Sequence, residues 1–203
     1  MALLKNYMTY PCKVINISQR HDGTYSHSGN SSSSANYKDY PIDEICDGSS
    51  SRSYMYCPCD EMEVLRVHGV GNTGVNTVWL RSTSPVYIPG ESTPQYVVMM
   101  VTHPNDDSLA GVYVGRKYTR NEPMFTEGDD GKDLNKADGY HFHISCGTGD
   151  LATTTGWVEN NLGAWVLRVT GRTLLPTEAF YRYTNFTSIM DTKGYSFRTV
   201  TTY

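Results

Sequence analysis

His141 and His143 stand two positions apart in the run "GYHFHISCG" at 139–147. In a strand, residues i and i+2 share a face, so the two imidazoles project side by side. His103 ends the strongly apolar run "VVMMVTHP", and His27 lies in the polar stretch "YSHSGN", where packing assigns it no role. Asp43 sits in "YPIDEI", among apolar neighbours that make a bare carboxylate costly to bury and so call for a cation or a metal. Zinc accounts for these positions together. Catalytic zinc takes three protein ligands, commonly His and Asp or Glu, and keeps one position open for water. Two histidines and one aspartate leave such a site net positive, which lowers the pKa of water toward ~7 in favourable cases. Spare imidazoles beside it move protons near neutral pH. Each position also has a plainer reading. Surface strands carry His-x-His by chance, and Asp43 can pair with Lys38 or cap a turn. His68 in "RVHGV" reads as an exposed strand end, and His21 as a loop residue.

The elements that must position these residues are strands. "CKVINISQR" at 12–20 alternates apolar and polar, and "IDEIC" at 42–46 is a short extended piece. "MEVLRVHGV" and "VNTVWLRS" are β-branched runs joined by "GNTG", a hairpin signal. "QYVVMMVTH" at 95–103 is a strongly apolar strand, "GVYVGRKYTRNEPMFTEGDDG" holds short strands with turns, and "YHFHISCG" closes the series. No segment before residue 150 has a helical period, so the first three-quarters read as antiparallel β structure. Between the first two strands, "HDGTYSHSGNSSSSANYKDYP" reads as a long exposed loop. From "GTGDLATTTG" at 147–156 the composition turns linker-like. An aromatic stretch follows, with Trp157, Trp165, Phe180, Tyr183 and Phe186, in which "PTEAFYR" suits a helical turn or two. These aromatics either stack on glycan or peptide or pack against the main domain.

Composition excludes some functions. The chain has 203 residues, one domain of ordinary size or one domain with an appendage. Charged residues are 19% and the net charge is −4, so there is no polycationic signature for nucleic acid. No stretch reaches membrane-spanning length, and "ALL" is too short for a signal-peptide core. The expectation is a product made in the cytoplasm without its own export signal. Five cysteines, an odd number, argue against a complete disulfide framework, and "CPC" at 57–59 reads as two reduced, semi-buried thiols. "GVGNTG" at 69–74 matches the dinucleotide fingerprint, but a β-branched strand follows where a helix is needed, so its glycines serve a hairpin turn.

The order His…Asp…His…His-x-His resembles the lysostaphin-type (LytM-like) zinc metallo-endopeptidases of peptidoglycan. "YMYCPCDEMEVLRVHGVGNTGVNTVWLRS" is similar to that family's opening hairpin, and "YVVMMVTHPND" to its strand with a lone His. "GYHFHISCG" is similar to its closing His-x-His. The likeness spans about residues 12–147 and has the flavour of phage-encoded lysins and tail-associated wall hydrolases. It implies a mainly β fold, an antiparallel sheet or barrel-like metallopeptidase domain over 1–147, with a small C-terminal extension over 148–203. It implies His27, Asp43 and His143 as ligands of Zn2+, and His103 and His141 as the unligated pair that handles protons and the oxyanion. The implied partner is the peptide of bacterial peptidoglycan, attacked after host lysis or from a virion. The sequence departs from the family in two places. Asp43 lies sixteen residues after His27, with "SSSSANYKDYP" between, so Asp39 and Asp22 stand as alternative ligands. Asn121 stands at a turn where the family often has Gly. A non-catalytic tail or wall-binding module of the same fold is the competing expectation. A related carboxypeptidase type shares the first motif, but its Trp-x-His is replaced here by His-x-His.

Overall fold

The computed structural model describes residues 5–22, 42–46, 52–69, 75–128, 139–159 and 165–201. The first strands are β1 (Val14–Gln19), β2 (Ile42–Glu44) and β3 (Tyr54–Tyr56). The glycine-turn hairpin follows as β4 (Glu61–His68) and β5 (Thr77–Ser82), and the apolar run as β6 (Val97–Thr102). A single helical turn, α1 (Asp106–Leu109), precedes β7 (Lys117–Thr119), β8 (Pro123–Thr126) and β9 (Phe142–Thr148). The rest comprises β10 (Trp157–Glu159), β11 (Trp165–Leu167), β12 (Thr173–Leu174) and α2 (Pro176–Ala179). It ends with β13 (Arg182–Tyr183), β14 (Ser188–Asp191) and β15 (Thr199–Val200). The fold is mainly β, as the patterning requires. α1, absent from the sequence reading, is too short to carry a period; the Asn105 side chain caps it by accepting from the Asp107 N–H at 3.0 Å.

Among the described residues, one sheet runs β14-β1-β2-β9-β6-β5-β4-β7, with β12 added to β9. Every pairing in it is antiparallel except β1 with β14. β6 and β9 lie at its centre, and both of their faces are covered. On β6, Val97, Met99 and Val101 enter the main core with Ile42, Phe142, Ile144 and Phe180. Val98 and Met100 face the other way, into a smaller cluster with Trp79, Leu167 and Val169. This is why the "VVMMV" run shows no alternation: a strand buried on both faces needs apolar residues at every position. Each such side chain contributes about 1.5–3 kcal/mol when fully buried.

The stretch 148–203 supplies strands to the sheet itself. β12 pairs with β9 through Thr173↔Gly147 and Leu174↔Cys146, and β14 extends the edge at β1. Phe180 is fully buried in the main core, while Trp157 and Trp165 stack at 4.4 Å over the smaller cluster. Gly147 lets Val169 of the smaller cluster pack close over β9, since a Cβ there would meet it at 2.6 Å. Gly69, at the end of β4, has φ +103°, the left-handed conformation expected of a turn glycine, and β5 follows it as a strand.

Candidate active site

Four of the five residues singled out for chemistry lie among the described residues, and they converge. β2 pairs with β9 so that Asp43 is directly opposite His143. His143 is in turn opposite Thr102, Thr102 opposite Thr77, and Thr77 opposite His68. One transverse row, Asp43–His143–Thr102–Thr77–His68, therefore crosses five strands on the sheet face that carries the smaller cluster. Phe142 and Ile144 point into the main core, which forces His143 and, two residues earlier, His141 onto this opposite face.

His143 Nδ1 and Asp43 Oδ1 are 3.2 Å apart, with both side chains largely buried. His103 reaches the same corner by an unusual route. It leaves β6 with φ +68°, a left-handed conformation uncommon for a residue with a Cβ. Two backbone hydrogen bonds hold it there: its N–H donates to Asn76 O at 2.9 Å, and its carbonyl accepts from the Gly128 N–H at 2.7 Å. Its ring then lies 4.6 Å from that of His141 and 6.5 Å from that of His143, centroid to centroid. Strained backbone of this kind gathers at functional sites. His141 Nδ1 donates to the Gly139 carbonyl at 3.0 Å, which orients the ring.

Two donor atoms each about 2.0–2.1 Å from a tetrahedral zinc stand about 3.3 Å apart. The Asp43–His143 separation fits that spacing, and an aspartate with a histidine is a donor set zinc accepts. The third expected ligand, His27, lies outside the described residues, as do Asp39 and the 28–41 insertion. Asp22, the other alternative, pairs with Arg20 at 3.0 Å on the surface. His21 is bound through Nδ1 to the Tyr195 hydroxyl at 2.7 Å. His68 is half-buried at the end of β4, edge-on to Trp165 at 4.6 Å, and burial lowers its pKa. Asn121, between β7 and β8, has φ +63°, the conformation a glycine takes most readily.

A second metal-capable group lies on the other side of β2. Ligand atoms of Cys12, Glu44 and Cys46 are all within 4.8 Å of one another. Cys12 and Cys46 are joined as a disulfide, however, which removes both thiolates. Glu44 is fully buried, and its carboxyl accepts from the Tyr10 hydroxyl at 2.6 Å and the Asn16 N–H at 2.9 Å. Burial pushes its pKa well above the ordinary carboxylate value. Cys57, Cys59 and Cys146 are buried thiols outside the disulfide.

Sequence reasoning missed the residues that hold β2 in place. Glu127, also fully buried, accepts from the Cys46 N–H at 2.6 Å and the Ser53 N–H at 3.0 Å, tethering the chain just beyond Asp43. Asn76 donates to Pro104 O at 3.0 Å and Asp106 Oδ1 at 2.6 Å, bracing the turn after His103. No local pattern marks either residue; their partners lie 28 to 81 positions away. No protein-family model matches the chain, and no curated protein matches it.

Proposed function

We propose that the chain is a zinc-dependent endopeptidase that hydrolyses amide bonds in the stem or cross-bridge peptides of bacterial peptidoglycan. In this reading the sheet is that of a lysostaphin-type metallopeptidase, in a phage-encoded lysin or tail-associated wall hydrolase. The observation that carries the reading is the corner itself: Asp43 beside His143 at 3.2 Å, with His103 against His141 on the same sheet face.

Asp43 and His143, with His27, would hold the metal. When bound, zinc supplies Lewis acidity toward the scissile carbonyl and a lowered pKa for water. His141, its Nδ1–H committed to Gly139, takes the water proton at Nε2 and returns it to the leaving amine. His103, turned toward the same space by its left-handed backbone, directs an imidazole N–H at the developing oxyanion. The half-burial of these rings limits water around them and strengthens each charge interaction.

The test is zinc content and hydrolysis measured on one preparation. The expected result is about one zinc per chain, clearing of purified sacculi, new muropeptide ends by mass spectrometry, and arrest by a chelator. Protein without zinc that leaves several wall types intact overturns the reading. Protein that sediments with walls but releases no peptide is the non-catalytic wall-binding module instead.

A further inference from the structure

A run of aromatic rings leads away from the histidine corner along β3. Tyr54 and Tyr56 share the outward face of that strand, since Met55 between them is buried in the main core. β8 connects the strip to the site: Tyr54 is opposite Thr126, and two residues further on Gly128 bridges to His141. Tyr54 and Tyr56 rings are 6.3 Å apart, Tyr56 and Phe186 5.4 Å, and Phe186 and Tyr183 6.4 Å. Tyr54 is 50% exposed, a high value for so large a ring beside a candidate active site.

Two cations border this strip. Lys13 Nζ stands 5.1 Å from the Tyr56 ring centre and 5.9 Å from that of Phe186. The Arg52 guanidinium stands 5.0 Å from the ring of Tyr140, the residue before His141. Neither cation pairs with a carboxylate among the described residues. In a chain of net negative charge, these two cations held over aromatic rings offer positive charge along the strip. Flat rings with polar edges suit the C–H faces and hydroxyls of sugars, and Lys and Arg suit carboxylates.

We propose that Tyr54, Tyr56 and Phe186, with Lys13 and Arg52, form a docking strip for the glycan strand of the wall polymer. Sugar rings lie along the aromatic side chains, and carboxylates of the attached peptides pair with the two cations. One stem peptide is thereby directed past Tyr140 toward His141. The strip rests on the peptidoglycan reading above and extends it from the scissile bond to the polymer that bears it.

The experiment compares wild type with Tyr54→Ala and Lys13→Ala, singly and together, all at exposed positions with thermal midpoints checked. Co-sedimentation with purified sacculi measures binding, and release from a soluble stem peptide measures chemistry. The double variant is expected to bind sacculi about tenfold more weakly, a loss of about 1.4 kcal/mol. Its clearing of sacculi should fall by a similar factor relative to its cleavage of soluble peptide. The Lys13→Ala part of the loss should shrink as salt is raised. Sacculus binding that ignores both substitutions in an active peptidase overturns the strip and leaves the peptidase standing. An inert protein whose sacculus binding still depends on Tyr54 and Lys13 upholds the strip and overturns the peptidase.

Discussion

Asp43 and Glu44 are consecutive carboxylates on one three-residue strand, and the two faces of that strand treat them in opposite ways. Asp43 meets the His143 imidazole on the face that carries the smaller cluster, with the His103 ring 6.5 Å beyond it. Glu44 meets a tyrosine hydroxyl, a backbone N–H and a disulfide inside the main core. Both neighbourhoods contain a set of metal-binding residue types. They differ in access. Glu44 and the two sulfurs are sealed in, and their bonding capacity is spent on the protein. The imidazoles are half-buried, and the His103 ring lies 4.6 Å from that of His141 and 6.5 Å from that of His143. A metal-like residue set becomes a candidate for chemistry only where the fold leaves it open to substrate; the same set inside a core is a fastening.

That contrast predicts loss of function on one face and loss of stability on the other. The largest effect belongs to the proposed metal pair, Asp43 and His143. His143→Ala and Asp43→Asn should each lower wall hydrolysis by at least about 1,000-fold, about 4 kcal/mol of transition-state stabilisation. Zinc content should fall with activity, while the urea midpoint stays near that of wild type. His141→Ala should instead keep its zinc and lose the rate. Loss of zinc there, in a folded protein, breaks the division of roles between the two histidines.

Next comes the disulfide. It closes a loop with a sequence separation of 34, for which chain entropy gives about 3–4 kcal/mol. Cys12→Ser with Cys46→Ser should lower the urea midpoint accordingly, with zinc content retained. Equal midpoints for the oxidised and reduced wild type would show that the link carries no stability. Glu44→Ala should cost about 1–3 kcal/mol, because it strands the Tyr10 hydroxyl and the Asn16 N–H in the core. Glu44→Gln keeps the shape and one acceptor and should cost less; an alanine variant as stable as wild type removes Glu44 from the fastening.

The smallest stability effect is expected at His103. Glycine there relieves left-handed strain of about 1 kcal/mol, and its greater freedom in the unfolded chain offsets most of that gain. His103→Gly should therefore unfold at nearly the wild-type midpoint with most of its hydrolysis gone. A large drop in midpoint would move His103 to the fastening side of the comparison.

Much of the site was legible because strand geometry is local. Alternation along "GYHFHISCG" put His141 and His143 on one face, and the apolar run before His103 announced a central strand. Asp43 stood out because a carboxylate between Ile42 and Ile45 demands a reason. The turn conformation of His103 was not legible, since nothing in "VTHP" announces a left-handed residue. It follows from Asn76 and Gly128, which grip its backbone from elsewhere in the chain. The parallel pairing of β14 with β1 was equally hidden, because its exposed residues carry no apolar rhythm.

What the sequence determined by itself was therefore the class of the fold and the residues to consider for a site. Period-two patterning, β-branched runs and turn glycines act within a few residues, and so do the side-chain types that suit zinc and proton transfer. What only the tertiary structure decided was the company each residue keeps. Register across the sheet set Asp43 opposite His143 and sent Glu44 to the core. Pairing with Cys12 committed Cys46 to a bond, and strand order brought His103 onto His141. These are contacts between distant parts of the chain, set by which faces must be buried together, and no local spacing encodes them.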